Sequence, residues 1–282
     1  MLKAGITVFE INRPDRRTRR QRGKSDPIDA ESAARAVLSG HVTAIPKDRT
    51  GIIEAIRALR VARDGAVKSR TAALNQLKDI ITTAPEQLRA GLRGLSLTQA
   101  ARQGARLRPN LDDLADPTQA TKAALRAIAT RISDLDEEIG QASQHLAGLV
   151  AQPAPRTTAL HGVSTQHAGQ LLTTAGNNPE HLRSEAAFAA LCAASPIPAS
   201  SGKTNRHRLN RGGDRAANRA LHLITVVRMR WHPETRAYVQ RRTAEGLSKR
   251  EILRCLKRYI AREIFHTIRA DLQHLQHART AP

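Results

Sequence analysis

Ser200 and Ser201 stand together in the run SPIPASSGKTNRHRLNRGGDR, directly after Pro196 and Pro198 and directly before dense arginine. An alcohol is a poor nucleophile at neutral pH and must lose its proton as it attacks. When the electrophile is a phosphodiester, negative charge develops on its oxygens and has to be met by cations already in place. Lys203, Arg206, Arg208, Arg211 and Arg215 follow the serines closely enough to supply that charge. Gly202, Gly212 and Gly213 permit backbone conformations that let a chain pass close to a phosphate. The same Ser-Ser-Gly triplet also suits a plain polar turn between two helices. Spacing leaves both readings open.

A second candidate lies near the start of the chain. Asp26, Pro27 and Ile28 open a helix that continues through Ala, Val and Leu at helical intervals and stops at Gly40. Asp26 and Asp29 are one turn apart, so both carboxylates project from the same side. Such a pair either caps the helix and complements its dipole or offers hard oxygen ligands to a divalent cation. Arg16, Arg17, Arg19, Arg20 and Lys24 crowd the stretch before it, which reads as a loop or arm for a polyanion. Before that arm, residues 5–11, GITVFEI, have the β-branched apolar pattern of a buried strand.

The elements that must hold these groups are mostly helical. A long helix is expected from about Ile52 to Ile81, with Ile56, Leu59, Val67, Leu74 and Leu77 on its apolar side and Arg57, Arg60, Arg63, Lys68, Arg70 and Lys78 around it. Another runs from about Thr118 to Val150, where Leu125, Ile128, Ile132, Leu135, Ile139, Ala142, Leu146 and Leu149 form a heptad seam. The pair reads as an antiparallel helical hairpin able to dimerise, with Glu86–Pro117 as connector. Past the linker Gln152–Pro155 the pattern shortens. LHGVSTQHAGQLL, residues 160–172, resembles a helix-hairpin-helix turn whose second glycine is replaced by Ser164, and it suits phosphate binding or helix packing equally. Ser248 and Glu251 form a capping box before a last helix with Ile252, Leu256, Tyr259, Ile260, Ile264 and Ile268 on one side. Its other side carries Arg250, Arg254, Lys257, Arg258 and Arg262, favouring contact with a nucleic-acid backbone.

Composition narrows the partner. The 282 residues hold 46 Lys plus Arg against 25 Asp plus Glu, a formal charge of +21. That excess repels itself unless a polyanion neutralises it, so nucleic acid is the expected ligand. Aromatic residues make up 2% of the chain, which argues against a lipid-facing surface and against recognition by base stacking. Cys192 and Cys255 sit apart in helical apolar contexts, as core thiols of a reduced cytoplasmic protein would. His266, His274 and His277 lack an acidic or thiolate companion and read as surface histidines. No apolar run approaches the roughly 18 residues of a membrane span, and the start lacks a signal peptide, so no membrane partner is expected.

Two long motifs carry a resemblance. The run GNNPEHLRSEAAFAALCAASPIPASSGKTNRHRLNRGGDRAANRALHLITVVRMRW is similar to the C-terminal transposase domain of the IS110 insertion-sequence family, and GKSDPIDAESAARAVL resembles the end of that family's N-terminal RuvC-like domain. The resemblance implies a mainly α fold: a remnant of an RNase H/RuvC-like α/β domain over residues 1–45, a helical coiled-coil region over 46–152, an all-α transposase domain over 153–275 and a tail over 276–282. It implies catalysis by Ser201, with Ser200 as fallback, through a phosphoserine ester to DNA. Asp26 and Asp29 match the last two members of an Asp, Glu, Asp, Asp set that binds Mg2+, in a Lys-x-Asp-x-x-Asp-Ala pattern made here by Lys24, Asp26, Asp29 and Ala30. DNA and a structured noncoding guide RNA are the implied companions, and a homo-oligomer is expected through the helical coiled coil. The family's upstream acidic residues have no counterpart in Met1–Ser25, and Glu10 is too close to Asp26 to stand for one. An N-terminally truncated enzyme is therefore expected, the alternative being a catalytically silent DNA- or RNA-binding derivative.

If phosphate contacts dominate, DNA affinity measured by fluorescence anisotropy will fall steeply with salt, with a log–log slope of roughly −0.9 per phosphate neutralised. A flat salt dependence would contradict the electrostatic reading.

Overall fold

The computed structural model describes residues 6–11, 23, 25–40, 42, 46, 50–177, 182–201 and 207–280, the side chains of 278–280 excepted. The described chain is mainly α-helical, as its periodicities predict. Helix α1, Asp26–Leu38, begins with proline in its first turn and ends before Gly40, whose φ of 69° is the left-handed conformation that stops a helix. None of its residues is buried. Residues 6–11 do not form the expected strand: no described strand lies beside them to complete a ladder, and Ile6 and Phe9 are exposed.

Two long helices, α2 (Gly51–Thr83) and α5 (Pro117–Ala151), pack along each other as the antiparallel hairpin read from their seams. Leu125, Ile132 and Leu146 of the heptad seam are buried, with Ile128, Leu135, Ile139, Ala142 and Leu149 partly so. The opposing side of α2 contributes Ile53, Ile56, Ala66, Ala73 and Leu77. The seam is thus filled within the chain, by α2. Cross-helix polar pairs fix the register: Arg70 with Asp136, and Arg63 Nε donating to Ser143 Oγ at 2.8 Å.

The connector is more ordered than its composition suggests. It holds α3 (Glu86–Leu92) and α4 (Leu97–Gly104), the latter opened by a capping box in which Ser96 and Gln99 satisfy each other's backbone. Leu92, Ala100 and Ala101 close a small core over Ala73, Leu77, Leu125 and Ile132. Gly104 lies where an added Cβ would stand 3.3 Å from Ala129 Cβ, so glycine there lets α4 approach α5.

Beyond α5 come α6 (Pro155–Thr158), α7 (Thr165–Ala175), α8 (Glu185–Leu191), a short hairpin of β1 (Ile197–Pro198) and β2 (His207–Arg208), then α9 (Arg215–Trp231), α10 (Pro233–Ala244) and α11 (Lys249–Thr280). Their apolar sides form one large core: Leu171 and Leu172 of α7, Phe188 of α8, Leu221 and Ile224 of α9, and Ile260, Ile264 and Ile268 of α11. Ile53, Ile56, Leu146 and Val150 belong to the same core, so it runs continuously into the base of the α2–α5 hairpin.

Leu77 is fully buried where α2 meets α5. Leu77→Ala is expected to lower stability by about 2–5 kcal/mol in urea denaturation. Val61→Ala, on the exposed side of the same helix, should change it by less than about 0.5 kcal/mol.

Candidate functional site

The serines sit at the mouth of a hairpin. β1 and β2 are antiparallel with Ile197 opposite Arg208 and Pro198 opposite His207; Ser200 follows β1, and Ser201 takes part in a further isolated bridge. Both are exposed. The returning strand brings back the exposed Arg208, and the exposed Arg211 and Arg215 follow it, the latter as the first residue of α9.

So short a ladder needs support at its base. Asn210 Nδ2 donates to Ser195 Oγ at 3.0 Å, tying the two arms together, and Gly212 N donates to Asn210 Oδ1 at 2.9 Å. Asp214 N donates to Leu191 O at 2.7 Å, while its carboxylate caps α9 by accepting from the backbone of Ala216 and Ala217. Asn218, on the first turns of α9, donates to Cys192 O and Ala193 O at 3.1 and 2.8 Å. Its own Oδ1 accepts from Lys257 Nζ of α11 at 3.1 Å. Burial, with Arg254 nearby, holds the Lys257 ammonium below its ordinary pKa. The segment that enters the hairpin is therefore gripped from α9 and α11 together.

Gly213 belongs to this grip rather than to a phosphate. Its φ is 89°, and a Cβ built there would meet Ala190 O and Leu191 O at 2.6 Å each. The sequence suggested a glycine for close approach of a ligand; the close approach is to the chain's own α8.

The turn at Gly162 is likewise absorbed by packing. With φ 78°, it faces α9, where a Cβ would stand 3.3 Å from Val227. Ser164 and His167 form a capping box at the start of α7. The preceding helix, α6, takes its anion from within: buried Asp271 of α11 accepts from Arg156 N, Thr157 N and Thr157 Oγ1.

The family comparison follows these same segments. Residues 155–240 match the family model described as "Transposase IS116/IS110/IS902 family", and residues 1–84 match a DEDD-type IS110 model described as "Transposase". Together the matches span well over half of the chain. The chain belongs to the IS110 family of transposases. No curated protein shows a significant match to it.

A transposase acts on DNA, and a DEDD-type domain implies a divalent cation. Asp26 and Asp29 both stand on the first turn of α1. Their hard oxygens suit such an ion, and a pair of carboxylates completed by water and phosphate is a common way to hold magnesium. Among the described residues no third His, Cys, Asp or Glu joins them.

Other expected contacts distribute unevenly. Arg16, Arg17, Arg19, Arg20, Lys24, Lys203 and Arg206 lie outside the described residues. Arg254 and Arg258 both line a cavity behind the hairpin. Arg258 and Arg262 are also drawn to Glu185 of α8, at 3.5 and 2.8 Å, so part of the expected DNA-facing charge on α11 serves packing. The sequence reading missed Asp214, Asn218 and Asn210, although the string NRGGD holds a signal for two of them: an Asx turn at Asn210 followed by an aspartate cap at Asp214.

Gly213→Ala should destabilise the transposase by about 1–3 kcal/mol through its backbone conformation alone, before the carbonyl clash is counted. In Gly212→Ala the added Cβ meets only Asn210 Oδ1 at 3.4 Å, so a loss under about 1 kcal/mol is expected. Chemical denaturation compares the two; equal losses would mean the turn does not dock on α8 as described.

Proposed function

We propose that this transposase cuts and rejoins DNA through Ser201. The observation that carries the reading is the exposed serine at the mouth of a braced hairpin whose return strand bears Arg208. In the step proposed, Ser201 Oγ bonds to a DNA phosphorus as the phosphorus–O3′ bond breaks. The serine proton passes to solvent, to which the exposed hydroxyl is open, and the leaving oxygen takes up a proton as a 3′ hydroxyl. The phosphoserine ester conserves the energy of the cleaved bond. A second DNA 3′ hydroxyl then displaces the serine and reseals the strand without ATP.

Arg208, Arg211 and Arg215 are assigned to the phosphate oxygens, where preplaced cations stabilise the charge that builds up during attack. Asp26 and Asp29 are assigned as carboxylate ligands to Mg2+. When bound, the ion would polarise and orient a phosphate. A structured guide RNA is proposed as the source of target choice, with the +21 charge supporting a second polyanion beside DNA. A second reading is favoured by the lack of a third ligand beside Asp26 and Asp29 among the described residues: a silent DNA- or RNA-binding protein that retains the basic surfaces.

The test incubates the protein with element-end DNA, the element's RNA and Mg2+, then resolves products under denaturing conditions. A protein–DNA adduct is expected, lost in Ser201→Ala and retained in Ser200→Ala. Asp26→Asn should lower adduct yield at least about tenfold while leaving DNA affinity within about twofold. An adduct that survives Ser201→Ala ends the assignment. Salt-sensitive binding with neither adduct nor cleavage supports the silent reading.

A further inference from the structure

Behind the serine hairpin lies a cavity of about 600 Å³. One wall is the hairpin's base, Ala193–Pro196 and His207–Asn210; the other is the start of α11 with Arg242 and Leu247. Its volume is in the range of pockets that enclose a small organic group. Ala194, Pro196, Leu209, Leu247 and Cys255 give it an apolar lining, yet cations crowd the same walls.

Those cations are not equally engaged. Arg242 pairs with Glu245, Arg258 reaches Glu185, and Lys257 is bonded to Asn218. Arg208 and Arg254 have no ion-pair partner among the described residues. Arg242 Nε is buried without a hydrogen-bond acceptor among them, a state that a bound acceptor would relieve. Glu251, the one carboxylate in the lining, accepts from Ser248 N and Oγ. The cavity thus combines apolar surface with a net demand for an anion.

One of the chain's two tyrosines lines this cavity and the other packs against the first. Tyr259 lines the cavity and is 57% exposed, although its place in the helical pattern had assigned it to the core. Tyr238 meets it edge to face, ring centroids 5.8 Å apart. That contact uses at most one face of Tyr259 and steadies the ring. In a chain this poor in aromatics, a supported and exposed ring beside uncommitted arginines has the chemistry of a base platform.

We propose that this cavity binds one unpaired nucleotide of a DNA strand, its base against Tyr259 and the apolar lining and its adjoining phosphate on Arg208 and Arg254. The inference rests on Ser201 being the DNA-facing nucleophile, since the cavity shares the hairpin that carries it. A duplex cannot enter a concavity of this size, whereas a single extrahelical base can, and its backbone would then run along the hairpin.

The test uses the full chain carrying Ser201→Ala, so that no covalent step intrudes. The probes are two DNA stem-loops of equal length and charge, one with an unpaired 2-aminopurine bulge and one with the same base paired. Anisotropy is expected to show the bulged probe bound about tenfold tighter, a ratio one stacked base can supply, with its emission quenched on binding. Tyr259→Ala should bring that ratio to about one without changing the helical circular dichroism. Arg254→Gln should weaken the bulged probe more than the paired one and reduce the bulged probe's salt slope by about one. Equal affinity for the two probes, or a preference that survives Tyr259→Ala, overturns the proposal. So does tighter binding of an RNA bulge of the same sequence, which would assign the cavity to RNA. Adduct formation is read separately with Ser201 intact. An adduct without bulge preference removes the cavity alone, whereas bulge preference without an adduct supports the cavity and removes the serine reading.

Discussion

Two residue pairs of β-ladder cannot hold a hairpin in water, since isolated hairpins are marginal even when longer. The geometry of the Ser200–Ser201 segment is therefore imposed from below, and everything proposed for it depends on how the Asn210–Asp214 turn docks on the end of α8. That docking has little slack. Gly213 lies so near the carbonyls of Ala190 and Leu191 that no side chain fits, and Ala193 takes a positive φ of 52°, rare for a residue with a Cβ. Asn218 compensates by bonding the carbonyls of Cys192 and Ala193 around that bend. The strain is local, and the bonds that hold it come from α9, an element anchored deep in the core.

The positive charge that signals a polyanion in the sequence serves two purposes in the fold. Some arginines are internal fasteners. Arg60 is buried against α7, donating to Gln166 O and Gln170 Oε1 at 2.8 and 2.7 Å, and burial lowers its pKa against the pull of Asp64 and Asp214. Arg228 is buried between His161 O and Glu263. Guanidinium suits such sites because its planar fork satisfies several acceptors at once. Others, Arg208, Arg211 and Arg215 among them, remain exposed at the surface. Net charge alone cannot separate the two populations; the acceptors around each side chain do.

The same distinction explains what could be read in advance. The α2–α5 hairpin, the start and stop of α1 and the last helix with its Ser248 cap follow from periodicity and caps, which are local signals. Tyr259 defeated that reasoning because its helical phase lies at the edge of the apolar stripe, and only the packing of α10 decides which side is covered. The strand expected at residues 5–11 needed a partner that periodicity does not report. Gly213 and Gly162 were legible as glycines required by their backbone, but not as to what approached them. Asn218 was not legible beside the Asn210 turn and the Asp214 cap, since an asparagine inside a helix acquires meaning only from carbonyls more than twenty residues away.

One polar chain joins these observations. Gln170 accepts from Arg60 through its amide oxygen and donates through its nitrogen to Asp214 Oδ2 at 3.2 Å, and Thr174 Oγ1 donates to the same oxygen at 2.7 Å. Asp214 meanwhile uses its other oxygen to cap α9 and its backbone to hold Leu191. The residue that braces the serine hairpin is thus hydrogen-bonded, through one glutamine, to a buried arginine of the long helical hairpin. Because an unsatisfied buried arginine is far costlier than an exposed one, moving α2 away from α7 would penalise Arg60 and loosen Asp214 together. The helical hairpin and the base of the serine-bearing β-hairpin share one polar core contact, and the position of the first constrains the second.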